Sequence, residues 1–246
     1  MDISFVIPAY NEELRIGKCL ESVQAEIARY SYDTEIIVVN NASTDRTAEI
    51  AGSFPSVRVV TEDRKGLTRA RQAGFVASSG TLVANIDSDT MVPEGWLKTV
   101  IDAFKQDEKL VVLSGPYIYY DAPLMYSIWI QCFYAFTYIA YLCTRFVLRI
   151  GSVVQGGNFV VRRSALEAIG GFDTSIAFYG EDTDIARRLH KVGKVRWTYS
   201  LPMYTTARRL AHEGLVTTGW RYALNFVWTT LTGKPYTETY ADIRTN

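Results

Sequence analysis

The chain has 246 residues, 48% of them hydrophobic, and its 26 Lys and Arg balance its 26 Asp and Glu, so no net charge draws it to nucleic acid. That length buries a full core in one domain, and the three cysteines, Cys19, Cys132 and Cys143, lack metal-ligand spacing and an even count, which excludes a disulfide framework and a zinc site. The opening MDISFVIPAY runs straight into an apolar strand with no basic leader or small-residue cleavage site, so a cytoplasmic location is expected.

Ile3 to Ile7 is a short apolar run, and behind it Ile16, Leu20, Val23 and Ile27 recur at spacings of four, three and four, a helical stripe. Glu35–Val39 is a β-branched run, Ser43 or Thr44 stands where it would cap a helix from Asp45, and Val57–Val60 is a third strand. Gly66–Ser79 reads as helix, Leu82–Ile86 as a buried strand, Pro93–Phe104 as a helix with proline in its first turn, and Val111–Leu113 as a strand. Five strands alternating with four helices predict an α/β fold: a mostly parallel central sheet flanked by helices, with ligands beyond the carboxyl ends of the strands.

Residues 123–148 carry no charge before Arg145 and are crowded with aromatics. The segment is long enough to span a bilayer, but a span here would put the sheet and a later carboxylate cluster on opposite sides of a membrane. Two readings remain: a buried helix with aromatic side chains, or an interfacial helix resting on lipid or an apolar acceptor. The end, Thr237–Asn246, reads as a polar tail behind a C-terminal helix.

Asp87-Ser88-Asp89 directly follows the strand Leu82–Ile86, so two carboxylates emerge where sheet geometry places ligands. Two hard oxygen anions suit Mg2+ or Mn2+, which keep positions open for phosphate oxygens. Taken alone, an Asp-x-Asp triplet is equally a solvated turn.

Four blocks in order set the triplet in context: Val6-Ile7-Pro8-Ala9-Tyr10-Asn11-Glu12-Glu13; Val38–Thr47; Gly66–Gly80 leading into Asp87–Asp89; and Gly180-Glu181-Asp182 with Arg188 and Gly193 downstream. With these blocks the chain resembles the family-2 glycosyltransferases of the GT-A fold over nearly its whole length. The resemblance implies a single domain, 1–246, with a nucleotide-sugar-binding half at 1–116 and an acceptor-binding half at 117–246. It implies an inverting transfer of a sugar from a nucleotide-diphosphate donor to a glycan or lipid-linked acceptor. Peripheral contact with the inner face of the cytoplasmic membrane is a corollary.

On the donor side the candidates are Pro8, Ala9, Tyr10 and Glu12, with the strand ending at Pro8 and Tyr10 against the base. Asn40 and Asn41 replace the family's aspartates; an amide offers one acceptor and one donor group, which suits uracil or thymine, although Asn also caps turns. Lys65, Arg69 and Arg71 are candidates to meet phosphate, Arg71 standing at the family's arginine position, and Gln72 replaces its asparagine. Asp87 and Asp89, flanking Ser88, are the metal candidates. Asp182 matches the family's general base, with Glu181 orienting it and Asp184 second in line. Acidic residues at a helix start also simply favour the dipole. Gln155–Phe159 and Gly170–Asp173 resemble acceptor-side segments. The family's histidine ligand is missing from Leu201–Leu210; His212 is nearby and reads as a surface histidine, as does His190. Arg208 and Arg209 form a second basic pair, expected to clamp the diphosphate when a C-terminal loop closes. The rival readings are a nucleotidyltransferase, disfavoured by Pro8–Asn11 where a glycine-rich loop is needed, and a non-catalytic membrane-associated scaffold.

Overall fold

The computed structural model describes residues 1–150 and 153–237. In chain order the elements are β1 (Ile3–Ala9), α1 (Ile16–Ile27), β2 (Thr34–Asn40), α2 (Thr47–Gly52), β3 (Val57–Thr61), α3 (Leu67–Ala77), β4 (Leu82–Ile86), β5 (Thr90–Met91), α4 (Trp96–Gln106) and β6 (Leu110–Ser114). There follow β7 (Tyr117–Tyr119), α5 (Leu124–Leu142), a π-helical turn at Cys143–Val147, β8 (Asn158–Arg162), α6 (Arg163–Ala168), α7 (Glu181–His190), β9 (Lys194–Trp197), β10 (Met203–Thr205), α8 (Arg208–Glu213) and α9 (Leu215–Thr232). The reading of a polar tail falls, beyond Thr237, outside the described residues.

The central sheet has seven strands in the order β3-β2-β1-β4-β8-β6-β9, parallel except for β8, which runs against both neighbours. β1 is buried at every position because helices cover both faces, so its sequence is a continuous apolar run. Its alternate residues Ile3, Phe5 and Ile7 pack with Leu20 and Val23 of α1 and Leu97 and Val100 of α4, while Val6 joins Ala70 and Phe75 of α3 on the other face. Strand order reverses between β1 and β4, which lie side by side in register Ile3↔Leu82 to Val6↔Asn85, so the chain leaving both strands enters one crevice.

The expected mostly parallel sheet is present, with details the sequence reading lacked. The acceptor-side segment Gln155–Phe159 runs into β8, and NFVVR is a central strand paired with β4 and β6. The second half is therefore woven into the sheet of the first. A separate sheet, β5-β10-β7, ties the residues after Asp89 to Tyr117–Tyr119 and to the segment before Arg208.

Three local expectations are corrected. β1 continues through Pro8 to Ala9; pairing with β4 stops at Val6, and beyond it only β2 lies alongside, so proline is tolerated as on an edge. α4 starts at Trp96, not Pro93, because Gly95 sits at φ 83, outside helical space. Ser43 and Thr44 do not cap α2. They lace the motif loops together instead, Ser43 Oγ accepting from Asn11 N at 3.1 Å and Thr44 N donating to Asn11 Oδ1 at 2.8 Å.

α5 is neither fully buried nor laid bare. Tyr134 and Tyr141 are buried, Tyr134 stacking on Trp197 of β9 at 6.1 Å, while Ile128, Trp129, Phe136 and Ile139 face outward. An all-round apolar helix offers more surface than one sheet edge covers. Among the described residues no helix is long and apolar enough to cross a membrane.

Helix α4 has no side-chain cap of its own; its first amides are served from α1, where the buried Glu26 accepts from Leu97 N at 2.9 Å and Gly95 N at 3.1 Å. Removing that carboxylate strands two donors in a dry site. Glu26→Ala is expected to lower stability by about 1–3 kcal/mol, read as a lower urea midpoint at unchanged slope.

Candidate active site

Beyond the carboxyl ends of β1 and β4 lies a cleft of about 130 Å3 lined by residues from both halves of the chain, among them Arg71, Asp87, Asp89, Asp182, Arg208 and Arg209. Its floor is Arg71. This guanidinium, 1% exposed on α3, donates Nη1 to Glu181 of α7, and Nη2 to the Gly156 carbonyl at 2.6 Å and to Asp87 Oδ1 at 3.3 Å. It also stands 5.5 Å from the Phe159 ring. Burial pushes the Glu181 carboxyl up to about 7, with Asp182 adding to the rise and Arg71 opposing it. For Arg71 the neighbouring carboxylates outweigh desolvation and hold the cation more firmly protonated than usual. Arg71 thus stands beneath the cleft with its Nη hydrogens directed to protein oxygens.

Asp87 leaves the end of β4 with Oδ2 accepting from the Tyr117 hydroxyl at 3.1 Å. Gly157 makes room for it: a Cβ there would lie 2.1 Å from both Asp87 Oδ2 and the Tyr117 hydroxyl. Ser88 is buried in the turn. Asp89 pairs with Arg208 at 2.9 Å, and Arg208 also binds both oxygens of Glu12, which is 1% exposed. The small sheet makes this meeting possible, because Thr90 pairs with Thr205 three residues before Arg208. Arg208 and Arg209 stand at the cleft in the first turn of α8. Arg209 covers the Phe178 ring at 4.6 Å and donates to Glu213 at 2.6 Å.

Asp182 is the second residue of α7, half-buried, with Oδ1 accepting from Thr183 N at 2.8 Å; burial raises its carboxyl above the ordinary value. Asp184, by contrast, is engaged by Arg188 at 2.7 Å and Arg187 at 3.5 Å, and does not line the cleft. Gln72 accepts from Phe172 N at 2.9 Å and so holds the Gly170-Gly171 turn.

A narrower cleft beside the first, about 20 Å3, is lined by Pro8, Ala9, Tyr10, Asn41, Lys65 and Phe178. Lys65 Nζ lies over the Tyr10 ring at 3.8 Å. The base-reading role of Asn41 is corrected: both its amide hydrogens go to the carbonyls of Glu62 and Arg64 at 2.9 Å, and its oxygen accepts from Gly66 N at 2.8 Å. Asn40, at the end of β2, accepts from Ser43 N at 3.3 Å.

His212 is exposed on α8, and among the described residues no three His, Cys, Asp or Glu side chains cluster as a metal would need. Sequence reasoning missed Tyr117, Tyr119, Phe178 and Tyr222, all lining the cleft. Tyr117 and Tyr119 carried a readable signal, an aromatic run that follows the strand Leu110–Ser114 after Gly115-Pro116.

The family model described as Glycosyl transferase family 2 matches residues 4–170. Probable glycosyltransferase YdaM of Bacillus subtilis (strain 168) is 28% identical over 207 residues, 78% of this chain and 47% of that protein. The chain spans less than half the length of the first curated relatives it matches. Among solved structures, the mannosyltransferase PcManGT from Pyrobaculum calidifontis, in complex with GDP-Man and Mn2+, superposes at TM-score 0.69 and 18% identity over 93% of this chain and 62% of that one. Glucosyl-3-phosphoglycerate synthase from Mycobacterium tuberculosis, in complex with Mn2+, UDP-glucose and phosphoglyceric acid, superposes at 0.60 and 21% identity over 93% and 79%. The shared architecture is the GT-A fold.

Replacing the buried cation leaves Glu181 and Asp87 facing each other unneutralised. Arg71→Met is expected to destabilise by about 3–5 kcal/mol, and adding Glu181→Gln to recover part of that loss, both read from thermal unfolding.

Proposed function

The chain belongs to glycosyl transferase family 2, and we propose that it moves a sugar from a nucleotide-diphosphate donor to an acceptor hydroxyl with inversion, in the synthesis of a cell-envelope or other polysaccharide glycan. One observation carries this reading: the Asp87–Asp89 pair, the arginines of α8 and the half-buried Asp182 line the same cleft.

The donor's diphosphate belongs between Asp89 and the α8 arginines. Asp87 and Asp89 provide the hard carboxylate oxygens that Mg2+ and Mn2+ take one or two of, leaving other positions to phosphate and water. The position beside Asp89 already favours positive charge, since Arg208 fills it. The donor set therefore fits such an ion, as do the Mn2+ complexes of the two solved structures. When bound, a divalent cation supplies charge neutralisation to the departing diphosphate. Arg208 has the same chemistry to offer once it turns from Glu12 and Asp89 to phosphate oxygens, with Arg209 beside it. The base belongs in the narrow cleft against Tyr10 and Lys65; the mixed donor and acceptor of the Asn40 amide, at the end of β2 one residue before that cleft's Asn41, favours a pyrimidine, as UDP or dTDP.

Across the cleft, Asp182 takes the proton of the acceptor hydroxyl as that oxygen attacks the anomeric carbon from the face opposite the leaving group. One displacement inverts the centre, and no sugar–enzyme bond is formed. Glu181 acts through Arg71, which positions it and Asp87 together.

Asp182→Asn is expected to lower kcat by about 10²–10⁴-fold. Because burial raises the Asp182 carboxyl, the base form is lost at a higher pH than for an ordinary aspartate. The acid limb of kcat/KM should therefore lie above the usual Asp range in the wild type and vanish in Asp182→Asn.

Donor binding is tested by thermal shift with Mn2+ across UDP, dTDP, GDP and CMP. Metal-dependent stabilisation by UDP or dTDP, lost in Asp89→Ala, is the expected outcome. No shift with any nucleotide would remove the donor site and leave a non-catalytic scaffold.

A further inference from the structure

Behind Asp182 a second cavity of about 160 Å3 opens between α5 and α9, sharing Tyr117, Tyr119, Gln155, Asp182 and Tyr222 with the main cleft. The two differ in chemistry. The main cleft holds Arg71, Arg208 and Arg209, whereas among the described residues lining the second a single one is charged, Asp182. Its walls are aromatic: Phe133 and Tyr134 from α5, Phe226 from α9, with the largely exposed Phe136 beside them.

The polar atoms in those walls are largely engaged within the protein. Tyr134 accepts from Tyr117 N at 2.9 Å, and Thr137 donates to the Phe133 carbonyl at 2.9 Å. Asn225 donates to the Arg221 carbonyl at 2.9 Å and to Thr237 Oγ1 at 2.8 Å, and accepts from Tyr236 N and Thr237 N at 3.0 and 2.9 Å. A guest in this cavity gains contact with rings more than with hydrogen-bonding groups.

From this partition we infer the class of acceptor; the inference rests on the glycosyl-transfer reading. The acceptor is an uncharged sugar carried on an apolar aglycone, its hydroxyl at Asp182 and its aglycone in the aromatic cavity. A phosphate-terminated lipid is the wrong guest. Its anionic head would meet the Asp182 carboxylate, with no cation among the described residues of the aromatic cavity and the arginines of the main cleft assigned to the donor's diphosphate, and a phosphate nucleophile has no need of the base placed there.

The test is calorimetric titration of octyl β-glucoside below its micelle concentration, glucose and farnesyl phosphate into the wild type, Ala223→Trp and Phe226→Ser. Ala223 lines the cavity, so tryptophan fills it, and Phe226→Ser removes a wall ring. The expected result is octyl glucoside binding at least tenfold tighter than either other probe, with that advantage lost in both variants; unfolding curves show which variants are folded. Farnesyl phosphate binding tighter, glucose matching octyl glucoside, or the advantage surviving in a folded variant would each overturn the inference. The nucleotide shift with Mn2+ is read separately, so a failed donor site and a failed acceptor cavity are told apart.

Discussion

A single buried guanidinium holds the site together. Arg71 reaches it from α3, Glu181 from α7, Asp87 from the end of β4 and the Gly156 carbonyl from the loop before β8, and the Arg71–Glu181 pair spans 110 residues of sequence. A charge removed from water must be matched at several points, since its hydration is lost on every side. Matching it fixes four segments relative to one another, two of which carry the carboxylates assigned here to metal and to positioning. Arg208 does similar work at the rim, joining Glu12 after β1 to Asp89 after β4. The site is thus organised by two arginines that pull opposite halves of the chain together through carboxylates.

Much of the sheet was legible because its strands are buried on both faces and read as continuous apolar runs: Ile3–Ile7 and Leu82–Ile86 were placed to within two residues. What escaped had weaker local signals. NFVVR is short and ends in arginine, and the two- and three-residue strands of the small sheet depend on partners far along the chain. Helix starts erred where glycine took positive φ, as at Gly95, a conformation that side-chain periodicity does not encode.

The site was legible in its residue types and less so in their partners. Asp87, Asp89, Asp182, Arg208 and Arg209 line one cleft. The sequence carried no sign that Arg71 would be sunk beneath it, nor that Asn41 would spend its amide on Glu62, Arg64 and Gly66. Both outcomes follow from burial: a polar group shut away from water bonds to the nearest backbone or opposite charge. Whether a motif residue meets ligand or scaffold depends on depth, and depth is a property of the assembled fold.

The reversed strand β8 also sets an order of assembly. β3, β2, β1 and β4 all lie within the first 86 residues and pair directly, so they can form a four-stranded parallel unit as soon as that stretch is available. β6 cannot join them. Its place is on the far side of β8, which ends at Arg162, so between the synthesis of Ser114 and that of Arg162 both β4 and β6 present unpaired edges. The aromatic helix α5 emerges in that same interval, before its packing partner Trp197 exists. The nascent chain is therefore at its most adhesive midway through translation; the arrival of one five-residue strand closes the β4 edge and the facing edge of β6 at once, and the far edge of β6 waits for β9.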